Sequence, residues 1–187
     1  MHIIGLGGHA KVVADIIQKS KQEITGVWDD NPLVRTFMQH EVLGTIEEFK
    51  NQQSGQFIIA IGDNRIRKKM ATSFAPCTVN AIHPSSEIAS TAKIGFGNVI
   101  LPNVSVNAAA IIGDHVILNT NASIDHDCMV ADYVHISPQV GIAGNVQIGE
   151  GTQVGIGASV IQGIKIGKWA TIGAGAVIIR DVPDYAV

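Results

Sequence analysis

Aromatic residues are scarce in this sequence, since Phe, Trp and Tyr together make up only 5% of its 187 residues. Domains of this length usually pack much of their core around such side chains, so another arrangement of apolar residues must fill the interior. Cysteine is also rare. Cys77 and Cys128 are too few for a disulfide framework, and we expect both to be buried free thiols.

The sequence has neither an excess of basic charge nor a long apolar run. Its formal charge is −3 and it has no basic stripe, so a nucleic-acid partner is not expected. No run approaches the roughly 20 apolar residues of a membrane span, and the N-terminus has no signal-peptide pattern. With 46% apolar residues the chain is too hydrophobic to be disordered. We therefore expect a cytoplasmic protein with no membrane partner.

The strongest pattern in the sequence is a six-residue repeat that begins at Ile82 and ends at Ile178. Every sixth residue in this range is Ile, Val or Leu, without one exception or shift of register. A small or β-branched residue follows four positions later, as at Ala110 and Val134, and glycine often follows the aliphatic residue directly. The seventeen aliphatic positions are Ile82, Ile88, Ile94, Ile100, Val106, Ile112, Leu118, Ile124, Val130, Ile136, Ile142, Ile148, Val154, Val160, Ile166, Ile172 and Ile178.

Such a repeat predicts short strands joined by tight turns, with three hexads forming one triangular coil of eighteen residues. The aliphatic residues then stack inside a parallel β-helix, although the spacing alone does not set its handedness. A purely structural solenoid remains open as an alternative. Because solenoids with flat faces usually pack together, an assembly is the preferred interpretation.

The first 80 residues lack this period and alternate between strands and helices, which indicates a small parallel sheet. We predict strands over 2–6, 24–28 and 57–61, and helices over 11–20, 46–51 and 65–74. The fold class is therefore an α/β Rossmann-like half domain over residues 1–80, followed by an all-β parallel β-helix over residues 81–187. We place the boundary at about residue 80.

A glycine loop, Gly5-Leu6-Gly7-Gly8-His9-Ala10, lies between the first strand and the first helix and fits G-x-G-x-x-A. Glycines allow a tight turn, and a helix N-terminus offers free N–H groups to a phosphate. Asp29 and Asp30 end the second strand, where an acidic residue would meet a ribose hydroxyl. A structural turn with a solvated acidic pair is the alternative. An NAD site fits less well, because eighty residues supply about one mononucleotide half.

His126 stands between two carboxylates in Asp125-His126-Asp127, at a predicted turn or outer face of the repeat. A neutral imidazole is a good general base, and a neighbouring carboxylate can orient it. His126 as an ordinary surface residue remains open, while adjacent residues give a poor geometry for a metal site. His135 is nine residues further on, and the two need not meet within one subunit. His115 is expected to be a surface residue without a role.

At this point the sequence resembles a known family: bacterial sugar acyltransferases with a small nucleotide-binding domain ahead of a left-handed hexapeptide-repeat β-helix. The family includes sialic acid O-acetyltransferases and N-acetyltransferases that act on nucleotide-linked 4-amino sugars. The resemblance covers essentially the whole chain. It is carried by residues 5–13 (GLGGHAKVV), 60–65 (AIGDNR), 79–84 (VNAIHP), 119–120 (NT), 125–128 (DHDC) and 143–145 (AGN).

The resemblance implies a role for each matching position. His126 would be the general base and Asp127 its orienting partner, and no metal is implied. Nucleotide sugar would be bound by Gly7, Gly8, His9, Asp29, Asp30, Gly62 and Arg65, with Asn119 in the active site. Acetyl-CoA, the implied cosubstrate, would contact His135, Gly144, Ile156 and Ala174, although relatives often have glycine where Ala174 stands.

The preferred hypothesis is an acetyl-CoA-dependent N-acetyltransferase that acts on the amine of a UDP- or GDP-linked 4-amino sugar, for bacterial surface glycan synthesis. The resemblance implies a homotrimer. Members of the family usually continue past Tyr185 with a short tail near the cofactor, so a chain without it is expected to bind CoA less tightly. O-acetylation of a free sugar such as sialic acid is one alternative. A non-catalytic nucleotide-sugar-binding scaffold is another.

Overall fold

The computed structural model describes residues 1–52 and 55–187, and the N-terminal part is a sheet flanked by helices. The predicted α/β architecture is confirmed. Its elements in chain order are β1 (His2–Ile4), α1 (Gly8–Lys19), β2 (Gly26–Trp28), β3 (Thr36–Phe37), β4 (His40–Gly44), α2 (Ile46–Gln52), β5 (Phe57–Ile59) and α3 (Asn64–Ala71).

The sheet has the strand order β3-β4-β2-β1-β5, and all its pairings are parallel except that of β3 with β4. Sequence analysis missed the short hairpin β3–β4, because β3 has only two residues and β4 alternates between exposed and partly exposed residues. Helix α1 begins at Gly8, three residues before the predicted start at Lys11. Apolar periodicity could not detect this first turn, since it is formed by the glycine loop itself.

From residue 81 to residue 178, all of which the structure describes, the chain is a regular left-handed parallel β-helix. Each strand has two residues, and its second residue is one of the seventeen aliphatic positions of the repeat. The strands are β6 (Ala81–Ile82), β7 (Glu87–Ile88), β8 (Lys93–Ile94), β9 (Val99–Ile100), β10 (Ser105–Val106), β11 (Ile111–Ile112), β12 (Ile117–Leu118), β13 (Ser123–Ile124), β14 (Met129–Val130), β15 (His135–Ile136), β16 (Gly141–Ile142), β17 (Gln147–Ile148), β18 (Gln153–Val154), β19 (Ser159–Val160), β20 (Lys165–Ile166), β21 (Thr171–Ile172) and β22 (Val177–Ile178).

Strands eighteen residues apart pair in parallel, as Ser105 pairs with Ser123, and this register builds three flat faces. The first face contains β7, β10, β13, β16, β19 and β22, and the second contains β8, β11, β14, β17 and β20. The remaining six strands form the third face, which we call the junction face. The aliphatic residues from Ile100 to Ile172 are buried inside, together with the small residues four positions after them. This arrangement replaces an aromatic core.

The turns between faces place one residue in the left-handed region at every sixth position from Gly97 to Gly175. Many of these residues are not glycine, and they include His115, Asp127 and Trp169. The glycines that directly follow an aliphatic residue are not in the left-handed region, and their role is steric. A Cβ on Gly155 would lie 2.6 Å from the carbonyl oxygen of Ile172 in the next coil. Glycine there allows the coils to stack closely.

The N-terminal sheet and helices pack on the junction face. Their core includes Val99, Leu101 and Ile117 from that face, and the Ser20 hydroxyl donates to the carbonyl of Ile82 over 2.8 Å. The domain boundary that we predict at residue 80 lies in the segment between α3 and β6. Cys77 and Cys128 are both buried free thiols, as expected. No helix in the described ranges is long and apolar enough to cross a membrane.

We expect Gly155→Ala to destabilise the β-helix by about 1–3 kcal/mol, because the new methyl group overlaps backbone atoms of the next coil. Gly173 is the matched control. It occupies the same position one coil later, where a Cβ meets nothing within 4 Å. Urea denaturation of the two variants measures the difference. Equal losses of stability would show that close stacking of the coils does not explain these glycines.

Candidate active site

His126 and Asp127 form a pair in the turn between β13 and β14. The imidazole Nδ1 lies 2.8 Å from Asp127 Oδ2, and both side chains are about 60% exposed. Asp127 occupies the left-handed turn position, with φ of 59°, which Asp adopts more readily than most residues. With Nδ1–H donating to the carboxylate, the lone pair of Nε2 is available for a proton from a substrate.

A second carboxylate supports this pair from the preceding position. Asp125 Oδ1 accepts hydrogen bonds from the backbone N–H of His126 over 2.7 Å and from Asn107 Nδ2 over 2.9 Å. These two bonds lower the pKa of Asp125, so it remains charged. The hydrogen bond to Asp127 and then the charge of Asp125 raise the pKa of His126. His126 is therefore a stronger base than a free imidazole.

Gly144 lies one coil above His126 and directly against its ring. A Cβ at this position would be 2.6 Å from His126 Nε2, so any larger residue would displace the imidazole. The backbone N–H of Gly144 donates to no acceptor within the described ranges. The sequence analysis assigned Gly144 to the acetyl-CoA site, and backbone N–H groups near it to the oxyanion. The structure places Gly144, with its N–H group, beside the candidate base.

Two open grooves lie on either side of the turn that carries His126. The groove on the first face has a volume of about 450 Å³ and is lined by Ser123, Asp125 and Ser159, among others. The groove on the second face has a volume of about 730 Å³ and is lined by Ile111, Met129 and Lys165, among others. His126 itself lines neither groove, and its exposed side chain lies on the edge between the two faces.

A second cluster of predicted residues lies on the junction face. His135 on β15 has Nε2 3.2 Å from Asn119 Nδ2, and the carbonyl of Gly62 faces its ring. Burial, then the charge of Arg67 and that of His9, lower the pKa of His135 to about 4. His135 is therefore neutral at ordinary pH. In the described part of the chain, no hydrogen bond joins this cluster to His126.

The glycine loop leads directly into α1, with Gly7 at the N-cap position. A Cβ on Gly7, Gly8 or Gly62 would meet nothing within 4 Å, so all three border open space. The N–H groups of residues 7, 8 and 9 donate to no acceptor among the described residues. Free N–H groups at the start of a twelve-residue helix favour an anion such as a phosphate. Burial and the charge of Arg67 lower the pKa of His9 to about 4.

Asp29 and Asp30 hold backbone groups around this loop. Asp29 accepts from the N–H groups of Leu6 over 2.6 Å and Asn31 over 2.8 Å. Asp30 accepts from the N–H of Ile46 over 2.9 Å. The two residues also line a cavity of about 260 Å³ beside β2 and β4. They therefore shape the end of the sheet, and their predicted contact with a nucleoside stays a prediction.

Arg65 and Arg67, both on α3, have different environments. The guanidinium of Arg65 lies 5.4 Å above the ring of Trp169 on the β-helix. Arg67 is 1% exposed and points into the junction, whereas Ile66 between them is 51% exposed. Sequence analysis selected Arg65 and missed Arg67. Little in the sequence indicated Arg67, because the buried face of a helix usually carries apolar residues rather than a charged one.

His115 corrects one expectation. It was expected to be a surface residue, but it is only 8% exposed and stacks on Tyr133 with 5.5 Å between ring centroids. Its burial follows from α3, which covers this turn and donates to the carbonyl of His115 through Arg67. Such a contact between domains cannot be read from the repeat.

The predicted acetyl-CoA residues are divided between two edges of the prism. Gly144 lies on the edge between the first and second faces. Ile156 and Ala174 lie on the edge between the junction face and the first face, one coil apart. Ile156 is 52% exposed, and its carbonyl accepts from the N–H of Gly175. One chain therefore does not bring these three residues together. Within residues 1–52 and 55–187, no group of His, Cys, Asp or Glu is arranged to hold a metal ion.

Comparisons with known proteins agree with this geometry. Residues 1–74 match the PglD N-terminal domain, and residues 145–180 match the bacterial transferase hexapeptide model. A mutant of GDP-perosamine N-acetyltransferase from Caulobacter crescentus, solved with CoA and GDP-perosamine, is 36% identical with a TM-score of 0.92. That alignment covers 98% of this chain and 90% of the other. The acetyltransferase domain of Neisseria gonorrhoeae PglB, solved with acetyl coenzyme A, is 34% identical with a TM-score of 0.91, covering 98% and 92% of the two chains.

Among curated proteins, UDP-N-acetylbacillosamine N-acetyltransferase of Bacillus subtilis is 38% identical over 109 residues, covering 53% of this chain. This match covers half the length of the Bacillus subtilis protein. A second match, to an uncharacterized protein of Acanthamoeba polyphaga mimivirus, covers 21% of the length of the mimivirus protein.

An α/β domain with a glycine loop, joined to a hexapeptide β-helix with an exposed histidine–carboxylate pair, defines a class of acyltransferases. Within this class, the chain belongs to the family of PglD-type bacterial sugar N-acetyltransferases.

We expect Gly144→Ala to lower kcat at least about tenfold, because the methyl group would occupy the space of His126 Nε2. Gly141→Ala is the matched control from the same coil, since its Cβ would lie 3.9 Å from the nearest atom, Ser123 Oγ. Steady-state kinetics and melting temperatures of both variants should be compared. A Gly144→Ala protein with unchanged kcat would show that the ring does not need this space.

Proposed function

We propose that this protein transfers the acetyl group of acetyl-CoA to the amino group of a nucleotide-linked sugar. The observation that carries the proposal is the exposed His126, held by Asp127 and packed on the bare backbone of Gly144. The N–H groups of residues 7, 8 and 9 in the glycine loop, which donate to no acceptor among the described residues, supply a second argument. They suit a diphosphate, which a free sugar does not have. We infer that the protein acts in the cytoplasm, where acetyl-CoA and nucleotide sugars are available.

The proposed reaction is a direct transfer. The amine attacks the thioester carbonyl, a C–N bond forms, and His126 Nε2 takes the proton that the amine loses. Collapse of the tetrahedral intermediate breaks the C–S bond, and the CoA thiolate leaves and receives a proton. Asp127 stabilises the imidazolium that forms on His126. The free N–H of Gly144 is our candidate donor to the oxyanion, because it lies beside the imidazole.

The nucleotide-linked sugar is proposed to bind to the N-terminal domain. The N–H groups of Gly7, Gly8 and His9 would hold the diphosphate, and we propose that Gly62, whose Cβ position is also open, contributes to the same site. Asp29 and Asp30 would face the nucleoside from the cavity beside β2 and β4. The position of Arg65 over Trp169 favours a supporting role at the edge of this region rather than a phosphate contact.

Acetyl-CoA is proposed to lie along the β-helix, with His135 and Asn119 near the acetyl group. A neutral His135 suits this role, because its ring can donate or accept without introducing charge next to the thioester. Ile156 and Ala174 would contact the CoA arm from the neighbouring edge. Because these residues lie on a different edge from His126, a complete site needs a second copy.

We therefore propose that the protein is a homotrimer with sites between its subunits. The support is the division of the candidate residues: His126, Asp127 and Gly144 on one edge, and the His135 cluster on the junction face. Flat faces and the two grooves beside His126 leave room for a neighbouring prism. Sedimentation equilibrium distinguishes a trimer from the 19.7 kDa monomer.

The proposed function predicts release of free CoA from acetyl-CoA only when a nucleotide-linked amino sugar is supplied. Thiol release should be measured with UDP- and GDP-linked 4-amino sugars, beside free sialic acid. His126→Ala should lose about 10²–10⁴-fold in kcat, since general-base catalysis is worth about that much. His40→Ala, a histidine of the edge hairpin, should retain activity. Turnover with sialic acid alone would replace the proposal with O-acetylation, and binding without turnover would favour a scaffold.

The pH dependence tests the pairing of His126 with Asp127. Activity should fall as the pH drops through the pKa of His126, because the protonated ring cannot accept a proton. Since Asp127 raises that pKa, Asp127→Asn should shift the acidic inflection of kcat/KM to lower pH. The plateau should also be lower, because the ring loses its orienting carboxylate. An unchanged inflection would show that Asp127 does not interact with the base during the reaction.

A further inference from the structure

Arg67 joins the two parts of the chain through one buried guanidinium. Its Nη1 donates to the carbonyls of Ile61 and Gly62, both over 3.0 Å, on the loop that follows β5. Its Nε donates to the carbonyl of His115 and its Nη2 to that of Tyr133, both over 2.8 Å, on the β-helix. A further bond from Nη2 reaches Asn64 Oδ1 over 2.8 Å. The nucleotide-domain loop and two successive coils are thus fixed relative to each other.

The acceptors of this guanidinium are neutral. No carboxylate in the described ranges lies within ion-pair distance of Arg67. Burial lowers its pKa to about 10, although the charges of Asp63 and Tyr133 oppose the shift, so it stays charged. Burying a charge without a carboxylate partner is costly, and the five hydrogen bonds of the guanidinium offset this cost. An apolar side chain could not pair these oxygens, so the position requires a group with several donors.

Three candidate site residues lie around Arg67. A Cβ on Gly62 would meet nothing within 4 Å, and the carbonyl of Gly62 accepts a hydrogen bond from Arg67 Nη1. His9 and His135 are close enough for its charge to act on both, one from α1 and the other from β15. Arg67 thus joins the Gly62 loop to the turns at His115 and Tyr133, and its charge acts on His135 of the adjoining junction face.

We propose that Arg67 is a positioning residue that holds the Gly62 loop at a fixed place relative to the His135 face. It thereby sets where the bound nucleotide sugar presents its amine to the acetyl group. This inference rests on the proposed function. It assigns Arg67 no contact with the reacting atoms: it acts through the loop backbone and through the electrostatic environment of His9 and His135.

The experiment compares Arg67→Met, which removes charge and donors, with Arg67→Lys, which keeps the charge but cannot span five acceptors. Lys69→Met is the matched control, since Lys69 is exposed on the same helix. Binding of UDP, GDP and CoA is measured by calorimetry, and KM for each cosubstrate is measured where turnover occurs. Melting temperatures identify variants that do not fold. If Arg67→Met does not fold, Arg67→Lys carries the test.

We expect both Arg67 variants to bind the nucleotide about tenfold more weakly or worse, with a similar rise in KM for the sugar and a fall in kcat. CoA binding should change less than about twofold. A histidine NMR titration separates charge from geometry. The charged or titratable groups that act on these rings are Arg67 on both and His9 on His135. The pKa of His9 and His135 should therefore rise from about 4 in Arg67→Met only.

Folded Arg67 variants with wild-type nucleotide affinity and KM would overturn the proposal and leave Arg67 as a structural clamp. Equal damage to nucleotide and CoA binding would overturn it as well, because the loop would then not be the element affected. The proposed function can fail separately. A wild-type protein that binds UDP or GDP but acetylates no amine fails the transferase proposal, while the binding comparison still decides the role of Arg67. Binding of neither nucleotide would overturn both.

Discussion

The eighteen-residue register between successive coils is the constraint on which the rest of this structure depends. Each coil pairs with the next through parallel backbone hydrogen bonds, so every residue lies directly below the residue eighteen positions later. Residues spaced eighteen positions apart in the sequence therefore stack on one another in the structure. This stacking fills the interior with aliphatic residues, and it requires glycine where two coils approach closely. It also places Gly144 on His126 although they are far apart in sequence.

Because the prism is regular, the candidate catalytic and binding residues lie at its edges and at its contact with the N-terminal domain. The turn between β13 and β14 exposes His126 and Asp127, where a substrate can reach them. The junction face carries the second group of polar residues, and Arg67 lies between it and the glycine loop. The two groups do not meet within one chain. In the trimer that we propose, the two groups would come together across a subunit interface.

Much of the fold could be predicted from the sequence. The seventeen aliphatic positions are the second residues of the seventeen strands between residues 81 and 178, and three strands and three helices were expected in the N-terminal domain. The hairpin β3–β4 was missed, since its short edge strands have weak apolar periodicity. The early start of α1 was missed because glycine gives no hydrophobic signal. Of the site, the sequence indicated His126 with its carboxylate and the glycine loop, since both are local motifs.

The sequence by itself determined the coil, its core and the local pairing of His126 with Asp127, because each depends on residues at fixed short spacings. Only the tertiary structure decided what depends on contacts between distant elements. It buried His115 under α3 and buried Arg67 rather than Arg65 in the junction. It also lowered the pKa of His9 and His135 through burial beside Arg67. A repeat fixes the distance between its own coils, but the position of a second domain depends on packing that no periodicity encodes.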